Sequence, residues 1–354
     1  MMYLKILSGI LLTVSLILVS GCIEENIVST NPGYNSSADL VTYLETKGDF
    51  INSDRNPAFI DVDELYGNTE NYLLLDIRSP SEFSDGHIEN SINLPLESLI
   101  ETIESEASQA YPLIVIISAS GQKASYAAGL LRMYGISNVY SLEYGLGQWN
   151  EKFSDVWLNA RADAEKVQFL TRSSYGKPLL KKNLPLISFE DASLPVEELL
   201  KHRVRALLSE VEYQKSTAVT DDYEGLYSLL NRRYVGAYFI CYGGIDLYNY
   251  TRTLKDVSPP VSFGSHLRGA VYYNPLDDFK ASAYLLTLPV DETIFIYSYN
   301  GQRSAYITAY LRLLGYEARS IRFGAVSMFY FRLDLSRYEK SFQEKNIRDY
   351  PFVN

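Results

Sequence analysis

The chain has 354 residues, too many for one typical core and suited to two domains with connections. A hydrophobic share of 47% with 21% charged residues argues against a disordered chain, and a net charge of −11 argues against a nucleic-acid surface. The 30 tyrosines combine apolar area with a polar tip; they read mainly as half-buried positions, with some available for an interaction surface.

At the N-terminus, Lys5 precedes an apolar run from Ile6 to Val19, shorter than the roughly 20 residues that span a bilayer. The run ends in Ser20-Gly21-Cys22, as an export signal does, and it resembles the lipobox of a prokaryotic lipoprotein. That resemblance implies removal of residues 1–21, lipid on Cys22, and a protein anchored by that lipid to the outer face of the cytoplasmic membrane or cell envelope. Cys241 is then the only remaining thiol, so no internal disulfide forms. Its apolar setting, Ala237 to Cys241, predicts burial. Residues 22–37 are polar and read as a flexible tether. Asn35-Ser36-Ser37 and Asn249-Tyr250-Thr251 match the glycosylation acceptor pattern.

A first domain is expected over 38–155. The patterns predict a helix from Leu40 to Thr46, a strand at Ala58–Ile60, a helix from Asp61 to Tyr66 and a strand at Tyr72–Asp76. An extended piece at Ser91–Pro95, strands at Ile114–Ile117 and Val139–Leu142, and a helix near Gln148-Trp149 follow. Short, wholly apolar strands alternating with helices predict an α/β fold: a mainly parallel sheet with helices on both faces. Residues 156–200 read as a connector, in which Lys181-Lys182 marks a solvated turn. Pro195 to Gln214 is predicted helical, with Ser193 as N-cap, and opens a second domain over 201–345.

The second half repeats the first. At an offset of 180 residues, Ser118, Gly121, Gln122, Lys123, Tyr126, Leu131, Arg132 and Gly135 face Ser298, Gly301, Gln302, Arg303, Tyr306, Leu311, Arg312 and Gly315. After one dropped residue, Ser141-Leu142 and Gly145 face Ser320-Ile321 and Gly324. Matches of this density and order indicate a duplicated domain.

Each half carries a loop between a strand and a helix: Ser118-Ala119-Ser120-Gly121-Gln122-Lys123 and Ser298-Tyr299-Asn300-Gly301-Gln302-Arg303. Backbone N–H groups converge in such a loop and the helix N-terminus adds partial positive charge, which suits an anion or a thiolate. Lys123 and Arg303 either hold an anion, cap their own loop or pair with a carboxylate. Gly121 and Gly301 serve loop geometry. Asp76 and Arg78 read as a structural pair, and His87 and His266 as partners of backbone; the third histidine is His202, and no spacing resembles a zinc site. No cofactor is expected.

Leu75-Asp76-Ile77-Arg78, Glu82-Phe83, Gly86-His87-Ile88 and Ile92-Asn93-Leu94-Pro95, with the loop at 118–123 and the Leu142…Gly145…Trp149 ending, resemble rhodanese-like domains. The resemblance is weaker over 217–330, where Cys241 and Gly243 stand for Asp76 and Arg78. It implies two tandem three-layer α/β domains, the second degenerate, with a loop whose six-residue length matches the sulfurtransferase rather than the phosphatase branch. In that family the first loop residue is a cysteine that carries sulfane sulfur as a persulfide. Here it is Ser118 or Ser298. A hydroxyl forms no persulfide, and no base with an orienting partner is evident beside either serine. The expectation is a catalytically silent lipoprotein that binds a small oxyanion or a partner protein. The alternatives are sulfur handling through Cys241, or a structural module whose loops bind nothing.

Overall fold

The computed structural model describes residues 34–53, 56–105, 111–161, 169–188, 194–210, 219–220, 236–249, 253–254, 261–262, 265–330 and 342–354. The expected signal peptide, Cys22, most of the tether, Ser193, Tyr250-Thr251 and the last turn of the helix expected to reach Gln214 lie outside them.

Wholly apolar strand sequences require cover on both faces, and both halves meet that requirement in the same way. In the first half, β1 (Phe59–Ile60), β2 (Leu73–Asp76), β3 (Ile92–Asn93), β4 (Ile114–Ile117) and β5 (Val139–Leu142) form one sheet in the order β1-β5-β4-β2-β3. In the second, β6 (Val219–Thr220), β7 (Ala237–Tyr242), β8 (Val271–Tyr273), β9 (Thr293–Tyr297) and β10 (Ala318–Ile321) take the order β6-β10-β9-β7-β8. Every pairing in both sheets is parallel. The register repeats as well: Leu75 pairs with Ile116 and Ile116 with Ser141, while Ile240 pairs with Ile296 and Ile296 with Ser320.

Alternate side chains enter different layers. Leu73, Leu75, Ile114 and Ile116 join a core shared with the second half, whereas Leu74, Val115 and Ile117 pack with Val62, Leu65, Leu146 and Trp149 on the other face. Ile240, Ile294 and Ile296 join that shared core, and Phe239, Cys241, Phe295 and Tyr297 face the opposite layer.

Four longer helices surround the shared core: α1 (Ser37–Thr46), α2 (Gln122–Tyr134), α3 (Val196–Ser209) and α4 (Gln302–Leu313). Helices α2 and α4 pack directly on one another. Gly129 permits this approach, since a Cβ there would already touch the Ala309 Cβ at 3.4 Å. Helix α3, expected to open the second domain, instead bridges the halves: Leu200, Val204, Leu207 and Leu208 enter the shared core. Its Arg203 donates to the Arg312 carbonyl at 3.0 Å and its Arg205 pairs with Glu104 at 3.3 Å.

Chain segments also cross between the halves. Residues 34–36, expected in the tether, form a strand antiparallel to Leu186–Ser188, and α1 begins at Ser37. Leu170–Thr171 pairs antiparallel with His266–Leu267. Residues 342–354 return to the first half, where Arg348 N donates to Gln148 O, Tyr350 N to Trp149 O and Val353 N to His87 O. Among the described residues no helix is long and apolar enough to cross a membrane.

Candidate functional site

Both serine loops leave the C-terminal ends of central strands, β4 and β9, and turn into α2 and α4 through a glycine in the left-handed region, Gly121 at φ +77° and Gly301 at φ +83°. Behind each loop a second glycine, Gly145 or Gly324, lies so near the Ser118 or Ser298 carbonyl that a Cβ would collide with it. The following residues hold those carbonyls, Leu146 N donating to Ser118 O at 3.0 Å and Ala325 N to Ser298 O at 2.9 Å.

Each loop's glutamine points away from its own cradle and into the other half. The Gln122 side-chain oxygen accepts from Phe323 N and the Gln302 oxygen from Tyr144 N, both at 2.9 Å. Both glutamines are buried. Their side-chain oxygens therefore serve the contact between halves, while Gln122 also lines the first cleft.

The two loops then diverge. The first borders an open cleft of about 720 Å³, with Ser118 near its floor and Ala119, Ser120, Lys123, Arg78 and Arg322 around it. Ser118 Oγ accepts from Ala124 N at 3.3 Å. The Arg78 charge is consumed internally: Nε and Nη2 clamp the buried Asp76 carboxylate at 2.7–3.0 Å, and Nη2 also donates to Gly86 O at 2.8 Å. Asn93 braces the same strand end by donating to the carbonyls of Asp76 and Arg78, each at 2.9 Å. Lys123 and Arg322 supply the cleft's other cations. Glu82 supplies a carboxylate. Its partial burial opposes ionisation, but hydrogen bonds from Ser79 and the charges of Arg78 and Lys123 outweigh that and hold it below the usual carboxylate range.

The second loop has filled its own cradle. Ser298 Oγ accepts from Gly301 N at 3.1 Å and Ser304 N at 3.3 Å, and Asn300 Oδ1 accepts from Gln302 N at 3.0 Å. The Tyr299 ring lies against Gly243 and Gly244, and its hydroxyl donates to Asp246 Oδ1 at 2.5 Å. Ser298, Tyr299 and Asn300 are all buried. The expectation that both loops present anion cradles therefore meets a difference between them: in the second, those N–H groups serve its own side chains. Arg303 lies over the Phe59 ring of the first half, 5.8 Å from its centroid.

Cys241 is wholly buried on β7. The histidines bind backbone: His87 Nδ1 lies 3.0 Å from Phe83 O, and His266 lies 2.9 Å from Tyr248 O and 3.0 Å from Ser173 O. His202 is exposed on α3. Among the described residues no group of His, Cys, Asp or Glu is placed to hold a metal ion.

Sequence reasoning missed Arg322, which comes from the second half yet lines the first cleft. It also missed the Tyr299 plug, although a paired signal existed: where the first half has Arg78 and Ala119, the second has Gly243 and Tyr299. A large side chain was exchanged for a small one at one position and the reverse at the other.

The rhodanese-like domain pattern matches residues 61–152, which include the first loop. Thiosulfate sulfurtransferase GlpE of Shewanella oneidensis is 34% identical over 94 residues, spanning 26% of this chain and 91% of that protein. The chain belongs to the rhodanese-like family. GlpE of Stutzerimonas stutzeri is 39% identical over 85 residues, 24% of this chain and 76% of its own. A crystal structure of a rhodanese-related protein from Thermoplasma volcanium shares 32% identity over 25% of this chain and 86% of its own, with a TM-score of 0.22. The rhodanese-like match thus lies in the half whose cleft is open.

Proposed function

We propose that this chain is a membrane-anchored, extracytoplasmic protein of two tandem rhodanese-like domains, in which the first cleft binds a small oxyanion and neither domain transfers sulfur. The observation that carries this reading is Ser118, a hydroxyl at the floor of an open cleft bordered by Lys123 and Arg322. The family chemistry needs a thiolate, which a thiol of reference pKa near 8.5 supplies readily in an N–H cradle and a hydroxyl does not. Retained cations and a retained cleft without the sulfur atom suit reversible binding of sulfate or thiosulfate. Cys241 offers little as a substitute, because full burial denies it a sulfur donor. The second domain, with its cradle occupied by Ser298, Asn300 and Tyr299, acts as a support that contributes Arg322.

The full chain and its Ser118→Cys variant, assayed with thiosulfate and cyanide, test the reading. In the variant the thiolate would take the sulfane sulfur, release sulfite and pass the sulfur to cyanide as thiocyanate. An inactive parent that binds sulfate or thiosulfate by calorimetry, with binding weakened by Lys123→Ala or Arg322→Ala, is expected. Activity in the parent that disappears in Cys241→Ser would overturn the silent-domain reading, and an inactive parent without oxyanion affinity would overturn the binding reading. The anchor is checked separately by the mass of the N-terminal peptide, which should carry lipid on Cys22.

A further inference from the structure

The connector holds an apolar feature that the cleft does not use. Leu179, Leu180 and Leu186 are 91%, 81% and 71% exposed. Exposed leucines grouped in one short segment are an interaction signal rather than ordinary surface. The segment is firmly placed at its ends. Lys177 pairs with Asp278 at 2.9 Å and lies over the Tyr284 ring, 4.4 Å from its centroid. Lys182 N donates to Leu286 O at 2.6 Å, and Leu186–Ser188 pairs with Tyr34–Ser36. Leu179 and Leu180 are thus presented by a braced loop.

Charge and chain path indicate what they meet. Residues 171–188 contain Arg172, Lys177, Lys181 and Lys182 and no Asp or Glu, in a chain of net charge −11; Lys177 pairs with Asp278, and Lys182 lies 3.6 Å from Asp291 in an exposed pair that water screens. The strand that pairs with Leu186–Ser188 begins at Tyr34, twelve residues after Cys22. A fully extended chain of that length reaches at most about 40 Å. On the lipid-anchor reading Tyr34 stays within that reach of the bilayer, and basic residues flanking exposed leucines suit an anionic lipid surface.

We propose that the Leu179-Leu180-Lys181-Lys182 loop, with Leu186, docks on the anionic lipid surface of the membrane to which the chain is tethered, orienting the protein. This rests on the lipid-anchor reading for proximity but not for the contact itself. In the full chain, Leu180→Trp adds an indole to a background of the buried Trp149 and Trp157. With vesicles of phosphatidylcholine and phosphatidylglycerol, the added emission should shift to the blue and be quenched by brominated acyl chains several-fold more than the background. The further changes Lys181→Glu and Lys182→Glu should remove most of that response. An unshifted, unquenched emission from reconstituted protein whose Cys22 carries lipid would overturn the proposal. So would a blue shift that needs no vesicles and grows with protein concentration, since that marks pairing of two copies. Quenching in protein whose Cys22 proves unmodified would remove the anchor and leave the docking surface standing.

Discussion

Gln122 and Gln302 each complete the other half's turn, Gln122 accepting the Phe323 N–H and Gln302 the Tyr144 N–H, both at 2.9 Å. The exchange explains why both loop glycines lack a Cβ: the amide of the opposite glutamine occupies that space. Gln122→Ala or Gln302→Ala leaves a buried N–H without its acceptor, at a cost of about 1–3 kcal/mol each. Urea denaturation should show a loss of that size for each. Because the two bonds secure one contact surface, the double variant should depart from additivity.

The Asp76–Arg78 pair can be tested with the second half as its guide. Arg78→Gly alone strands a carboxylate that is fully buried, and should cost about 3–5 kcal/mol. Asp76→Cys with Arg78→Gly reproduces the Cys241 and Gly243 combination and removes the stranded charge. The double variant should be more stable than Arg78→Gly; if it is equally unstable, the penalty lies in lost packing.

Tyr299→Phe deletes the bond to Asp246 and leaves the ring in place, for a loss of about 1 kcal/mol. Tyr299→Ala empties the space beside Gly243 and Gly244 and should cost about 3 kcal/mol or more, as truncations of buried aromatic rings do. The difference between the two denaturation midpoints separates the hydrogen bond from the plug.

The C-terminal segment should respond to acid. Hydrogen bonds from Arg348 and Tyr350 hold the Asp63 carboxyl at about 2, below its ordinary value of 3.8. A depressed carboxyl stabilises the docked state above its ordinary value, and that contribution fades as pH falls from about 4 towards 2. The group is exposed, so the gain is about 1 kcal/mol after screening. Trp149 donates to Pro351 O and lies against the Tyr350 ring, 5.1 Å between centroids, so its fluorescence reports the docking. Asp63→Asn should weaken the docking at neutral pH and abolish its acid dependence in that window.

Much of the fold was legible because its signals are local. Continuous apolar runs named the buried strands, the 180-residue offset implied two sheets of one order, and the glycines before α2 and α4 marked the left-handed turns. The burial of Cys241 followed from its strand setting. The Asp76–Arg78 pair was legible for the same reason, since two residues of spacing at a strand end bring both side chains to one place.

By itself, then, the sequence determined the strand and helix patterns, the repeat and the presence of serine where the family chemistry needs sulfur. Only tertiary structure decided that Arg322 lines the first cleft, that Tyr299 packs against Gly243 and Gly244, and that α3 and residues 342–354 tie the halves together. Periodicity and backbone requirements are written within a few residues of chain. Which half a side chain serves depends on the packing of segments up to 287 residues apart, and no spacing in the sequence encodes that.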